Sequence, residues 1–185
     1  MTRRAWLLLF GPLTAGAGDE PPYPRFEPTP HEIVHEMLKL ANVKPGDVVY
    51  DLGSGDGRIV IAAVRDFGAD KAVGVELDGK LVQRSIRNAK DAGVGNQVRF
   101  IRQDLFDADI REATVVTLYL LPEVNTRLRP KLLKVLKPGT RVVSHSHDMD
   151  DWEPDRVVEV RDGYGKTHRL YLWTIPERED QDAAD

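Results

Sequence analysis

Val49-Tyr50-Asp51-Leu52-Gly53-Ser54-Gly55-Asp56-Gly57-Arg58 runs from an apolar strand through three alternate glycines into the start of a helix. Glycines so spaced let the backbone turn sharply and let a ligand approach it closely, at the carboxyl end of a strand where open α/β sheets bind ligands. The turn predicts a nucleotide-like cofactor. For a dinucleotide the glycines fall as G-x-G-x-x-G, but here the third comes one residue early and Arg58 stands in the expected place. Asp51, two positions ahead of Gly53, suits a cofactor carrying an ammonium group better than one carrying a pyrophosphate. The bland reading of a lone glycine-rich turn is a plain βα connection, so residues elsewhere must decide.

Outward from this turn, strands and helices alternate. Val48 to Asp51 reads as a strand, Arg58 to Phe67 as a helix, Ala72 to Glu76 as a strand, Gly79 to Ala92 as a helix and Val98 to Ile101 as a strand. Ala113 to Leu120 is a strongly apolar strand, Glu123 to Leu136 is helical, and Arg141 to Ser144 is a strand. Pro130 should split or kink the helix it falls in. Arg156 to Arg161 and Arg169 to Ile175 flank a Gly163-Tyr164-Gly165 turn with no room for a helix, so they pair as an antiparallel hairpin. The expected fold is α/β, a mostly parallel sheet of seven strands with helices on both faces and an antiparallel pair at one edge.

The two ends read differently. Arg3 and Arg4, an apolar run from Ala5 to Phe10 and Ala15-Gly16-Ala17 resemble a secretory signal, with a twin-arginine flavour, over residues 1–17. The alternatives are an uncleaved membrane anchor or a misassigned start. Residues 18–30 hold five prolines and should run extended along the surface. Thr29, Pro30 and Glu32 then spell a capping box for a helix from about Pro30 to Ala41. The domain proper spans residues 31–176, and the acidic stretch 177–185 reads as a solvated tail.

The whole chain has 185 residues, enough for one ordinary domain, with 41% apolar and 30% charged residues. A formal charge of −4 gives no support for a broad nucleic-acid-binding face. The absence of cysteine removes disulfides, thiolate-ligated zinc, iron–sulfur clusters and a thiol nucleophile.

Two more carboxylates fall at strand ends. Glu76 closes the second strand, nineteen residues past Gly57, where both oxygens can accept ribose hydroxyls. Asp104 follows the third strand and is placed to accept from an adenine amino group. Each alone reads as a cap or a solvated loop residue. Together with the glycines, the row fits adenosine joined to an amino acid, which is S-adenosylmethionine.

Asp51 to Arg58, Glu76 and Asp104 resemble the cofactor motifs of class I S-adenosylmethionine methyltransferases. Glu27-Pro28-Thr29-Pro30, Leu118-Tyr119-Leu120-Leu121-Pro122 and Lys137 to His145 narrow the resemblance to small lysine methyltransferases related to the mitochondrial enzymes that modify the ATP synthase c-subunit and the adenine nucleotide translocase. The resemblance covers roughly Pro24 to Ile175. It implies a Rossmann-like sheet and methyl transfer to a protein lysine, the substrate being in some relatives a membrane protein. It also implies cofactor contacts from Thr29, Asp51, Gly53, Ser54, Gly55, Gly57, Glu76 and Asp104, Thr29 being read first as a helix cap and second as a lid residue. Tyr119 and Pro122 would line the amine pocket; Tyr119 reads otherwise as core. His145 is a further candidate for handling a proton.

Two histidine motifs compete with this reading. His31-Glu32-Ile33-Val34-His35 spells the zinc-hydrolase pattern H-E-x-x-H, but His31 lies in the first turn, Glu32 belongs to the capping box, and neither Leu38 nor Ala41 extends the motif. His145-Ser146-His147 can bind metal at a strand end, although a surface loop fits it better. No metal site is expected. A small-molecule methyltransferase of the same fold, or a module that holds the cofactor without turnover, are the alternatives. Export would separate an enzyme from its cytoplasmic cofactor, so residues 1–17 sit in tension with the remainder.

Overall fold

The computed structural model describes residues 26–178. The signal-like segment 1–17, most of the proline-rich stretch and the tail beyond 178 lie outside the described residues. Eleven elements follow in chain order: α1 (His31–Leu40), β1 (Val48–Leu52), α2 (Arg58–Arg65), β2 (Lys71–Glu76), α3 (Gly79–Asp91), β3 (Val98–Arg102), β4 (Val115–Leu118), α4 (Pro122–Val135), β5 (Arg141–His145), β6 (Arg156–Arg161) and β7 (Thr167–Thr174).

The seven strands form one sheet in the order β3-β2-β1-β4-β5-β7-β6. β1 pairs in parallel with β2 and β4, β2 with β3, and β4 with β5, while β7 lies antiparallel to both β5 and β6. β7 thus inserts between β5 and β6, so the turn after β6 lies at the carboxyl end of the parallel strands. Side chains alternate across the sheet and build two cores. Val49, Ala72, Val98, Val115 and Val143 pack with α1 and α2 on one face. Tyr50, Val73, Val116, Val142 and Trp173 pack with Leu128 and Leu132 of α4 on the other. β4, buried at every position, has the unbroken apolar character of a central parallel strand.

Three local expectations are corrected. The strand expected over Ala113 to Leu120 is only Val115–Leu118, which leaves Tyr119 and Leu120 in the turn above the sheet. Pro130 does not split α4, which continues from Pro122 to Val135. The helix is held on both sides of the proline, by buried Leu128 and Leu132 and by Lys131, whose Nζ donates to the carbonyls of Leu105, Phe106 and Ala108 at 2.6–3.0 Å. The capping box at the start of α1 is not formed, because no side chain caps that helix. Thr29 turns its hydroxyl elsewhere.

Candidate active site

The loop after β1 is built by its glycines and by the end of β2. Gly53 and Ser54 donate backbone N–H groups to the Val75 carbonyl at 2.9 and 3.0 Å, and Gly57 closes the turn onto the Ser54 carbonyl. Gly55 takes φ +53°, a left-handed conformation in which a side chain is strained, and a Cβ there would stand 2.1 Å from the Phe26 ring. Gly57, at φ +82°, precedes α2 and admits the Phe100 ring.

Three of the expected side chains converge on this loop. Asp51 is buried at the end of β1 and accepts from the Thr117 hydroxyl at 2.7 Å. Burial, together with the charges of Glu76 and Asp56, pushes its carboxyl up to about 7 against the pull of that hydrogen bond. Glu76 accepts from Gly55 N–H through Oε2 and from Asp78 N–H through Oε1, each at 2.9 Å. Ser54 is buried with its Oγ unpartnered. Asp104 lies farther out, exposed, where Oδ1 accepts from Phe106 N–H in a tight turn.

A strap formed by Phe26 to Pro30 crosses the carboxyl end of the sheet. Phe26 rests over Gly55, and the Thr29 carbonyl accepts from Arg58 at 2.8 Å. Arg58 is itself held by Asp56 through a pair of hydrogen bonds at 2.9 and 2.7 Å. The Thr29 hydroxyl faces His145 Nδ1 at 3.2 Å. The Tyr119 ring packs on the His145 ring with centroids 4.0 Å apart. Burial, with a carboxylate contribution from Glu27, pushes the Tyr119 hydroxyl up to about 12. Pro122 is exposed as the first residue of α4. Thr29 and Tyr119 therefore both meet His145, and Pro122 is not among the residues that these contacts bring together.

Sequence reasoning assigned no individual role to Phe26, Glu27, Arg58 or His168. Phe26 and Glu27 lie in a proline-rich stretch whose pattern announces no element. Arg58 was noted for standing where a dinucleotide motif has its third glycine and as the end of the Asp51 to Arg58 motif. His145 departs from the H-x-H expectation: it is the buried last residue of β5 and contacts His168, 2.8 Å away, rather than His147. The zinc motif is likewise taken up elsewhere, since His35 faces Asp66 at 3.1 Å and packs edge-on to Phe67. Among the described residues no three His, Asp or Glu side chains are arranged to hold a metal ion.

These residues fit the chemistry of a ligand with a cationic amino-acid end and hydroxyl donors. A buried carboxyl with no cationic partner among the described residues ends β1, and a carboxylate tied to the Gly55 N–H ends β2. The strand order and this loop define a class I S-adenosylmethionine-dependent methyltransferase. The family model described as "ANTKMT methyltransferase domain" matches residues 51–156, and the chain belongs to that family. It is 46% identical over 156 residues, 84% of this chain and 96% of the relative, to a protein-lysine N-methyltransferase of Saccharolobus islandicus. It is 40% identical to the adenine nucleotide translocase lysine N-methyltransferase of Mus musculus, matching 77% of this chain but 59% of that longer protein. The crystal structure titled an RNA methyltransferase from Salinibacter ruber, solved with S-adenosyl-L-homocysteine, is 55% identical, with a TM-score of 0.77 over 86% of this chain and all of that one. The cofactor is S-adenosylmethionine.

Proposed function

We propose that this methyltransferase acts on the side-chain amine of a protein lysine. The observation that carries the reading is the 46% identity, across 96% of its length, to a relative named for that activity. The site supports it. When bound, the cofactor supplies a methyl group already activated on sulfur, so the protein's share of the work is alignment and removal of water. A lysine amine, with a reference pKa of about 10.4, must shed a proton, and a dry pocket disfavours its charged form. Tyr119, half-buried against His145, and the strap provide such a pocket. Asp51 would meet the cofactor's ammonium, Glu76 its ribose, and Asp104 its adenine edge.

The 55% identical chain whose title names RNA favours a second reading. The net charge of −4 weighs against it, because a phosphate backbone needs a basic excess. The test is transfer of labelled methyl from S-adenosylmethionine into protein and RNA fractions offered together, with modified positions located by mass spectrometry. Label on lysine side chains is the expected result; label confined to RNA, or to small molecules, overturns the reading. Membrane proteins belong among the acceptors, since one relative is named for a translocase. Residues 1–17, taken as an inward-facing anchor, would hold the enzyme at the bilayer beside such a substrate. Recovery of the full chain in the soluble fraction of its own cells would count against the anchor.

A further inference from the structure

Two buried histidines touch each other behind the site, one facing a carboxylate and the other a hydroxyl. Asp162 sits in the turn between β6 and β7, where Oδ1 accepts from the backbone N–H groups of Tyr164 and Lys166 at 2.9 Å each. Its other oxygen faces His168 Nε2 at 3.0 Å. His168 Nδ1 lies 2.8 Å from His145 Nε2, and His145 Nδ1 lies 3.2 Å from Thr29 Oγ1. The side chains of His168 and Asp162 are 4% and 6% exposed, so bulk water has little access to the chain.

The order of protons follows from what each group is able to do. A carboxylate only accepts, so His168 carries its proton on Nε2. In a neutral imidazole bonded this way Nδ1 is bare and must accept, which places the His145 proton on Nε2. His145 Nδ1 is therefore bare in turn, and the Thr29 hydroxyl donates to it. Asp162 is held below the usual carboxylate range by its hydrogen bonds from His168 and from the turn, so the anchoring charge persists. Burial, with the neighbouring His168, Lys166 and His147, pushes His145 down to about 3 and keeps it neutral.

We propose that Asp162 and His168 are positioning residues that commit the Thr29 hydroxyl inward, so that the Thr29 oxygen meets the acceptor amine as a hydrogen-bond acceptor only. An oxygen so oriented takes an N–H of the amine and leaves the nitrogen lone pair free for the methyl carbon. Thr29 belongs to the strap that spans from the glycine loop to Tyr119, and its partner His145 also carries the Tyr119 ring. Both groups placed against the amine thus hang on one histidine. The proposal rests on the lysine reading above.

Asp162→Asn supplies the test. The asparagine oxygen keeps the two backbone bonds while its amide N–H₂ faces His168, which reverses the chain and turns the Thr29 hydroxyl proton outward. Imidazole ¹⁵N signals of the full chain should show His145 Nδ1 unprotonated in the native protein and protonated in Asp162→Asn. The methylation rate constant should fall roughly tenfold to hundredfold, the range of one or two lost hydrogen bonds, with S-adenosylmethionine affinity unchanged. In a Thr29→Val background the Asp162→Asn effect should vanish, which a purely structural role would not produce. A protonated Nδ1 in the native protein, or an Asp162→Asn defect that persists beside Thr29→Val, overturns the proposal. A native protein that binds cofactor and methylates no amine overturns the lysine reading and the acceptor role with it, and is told apart because the nitrogen signals still report the order of protons.

Discussion

Glu76 Oε2 accepts from the Gly55 backbone N–H at 2.9 Å, so the carboxylate that ends β2 is tied to the middle glycine of the loop that ends β1. Its other oxygen accepts from Asp78 N–H at the entrance to α3. The carboxylate is fixed before any ligand arrives, with lone pairs left for further donors. Pre-orientation of this kind lowers the ordering cost of binding.

Glu76→Ala should weaken S-adenosylmethionine binding by roughly 2 to 4 kcal/mol, through loss of charge-assisted hydrogen bonds to ribose and of the brace on Gly55. Calorimetric titration measures this directly. Unchanged affinity would remove Glu76 from the cofactor site.

Asp51 makes binding depend on pH. Its free carboxyl is raised to about 7, and a cationic cofactor end prefers the ionised form. Below that value, binding must drive off a proton, so affinity should rise by up to about tenfold per pH unit towards pH 7 and level off above it. Titrations in buffers of differing ionisation heat should detect proton release on binding at pH 6, and Asp51→Asn should abolish both effects. The unliganded protein shows the opposite trend. A folded-state value above the ordinary 3.8 means that its stability contribution is full in acid and is lost as pH rises through 7. A pH-independent affinity would show that Asp51 does not meet the ammonium.

Gly55→Ala meets two obstacles, the positive φ and the Phe26 ring 2.1 Å from the new Cβ. The first costs about 1 to 2 kcal/mol whatever the surroundings. The second depends on the strap, so Phe26→Ala should recover part of the stability lost in Gly55→Ala, leaving the backbone cost. Thermal unfolding of the single and double variants checks this; strictly additive losses would mean that Phe26 does not lie over Gly55 in solution.

The βα alternation was legible because parallel strands and amphipathic helices carry opposed periodicities, and Asp51, the glycines and Glu76 were legible because each sits at a strand end. The insertion of β7 between β5 and β6 was not, since a hairpin's sequence does not say which of its strands adds to the sheet. The partners of His145 were hidden for the same reason. Thr29 and His168 lie 116 and 23 residues away; the strap brings the first to the ring, and the β5–β7 register brings the second. Thr29 also satisfied a local capping rule, but its hydroxyl faces His145 across the fold and no side chain caps α1.

Tyr119→Phe separates the remaining roles at the amine pocket. The ring packs on His145 at 4.0 Å and contributes burial, whereas the hydroxyl lies in the field of Glu27 and, with its proton held to about pH 12, stays neutral throughout the working range. Removing only the hydroxyl keeps the stack on His145. S-adenosylmethionine affinity should therefore be spared, while the methylation rate constant falls roughly tenfold, equivalent to one hydrogen bond of about 1.4 kcal/mol formed as the amine is aligned. Single-turnover kinetics beside calorimetry gives both quantities. A loss of affinity with the rate preserved would instead place the Tyr119 hydroxyl against the cofactor, and the amine pocket would have to be built from Thr29 and the α4 rim alone.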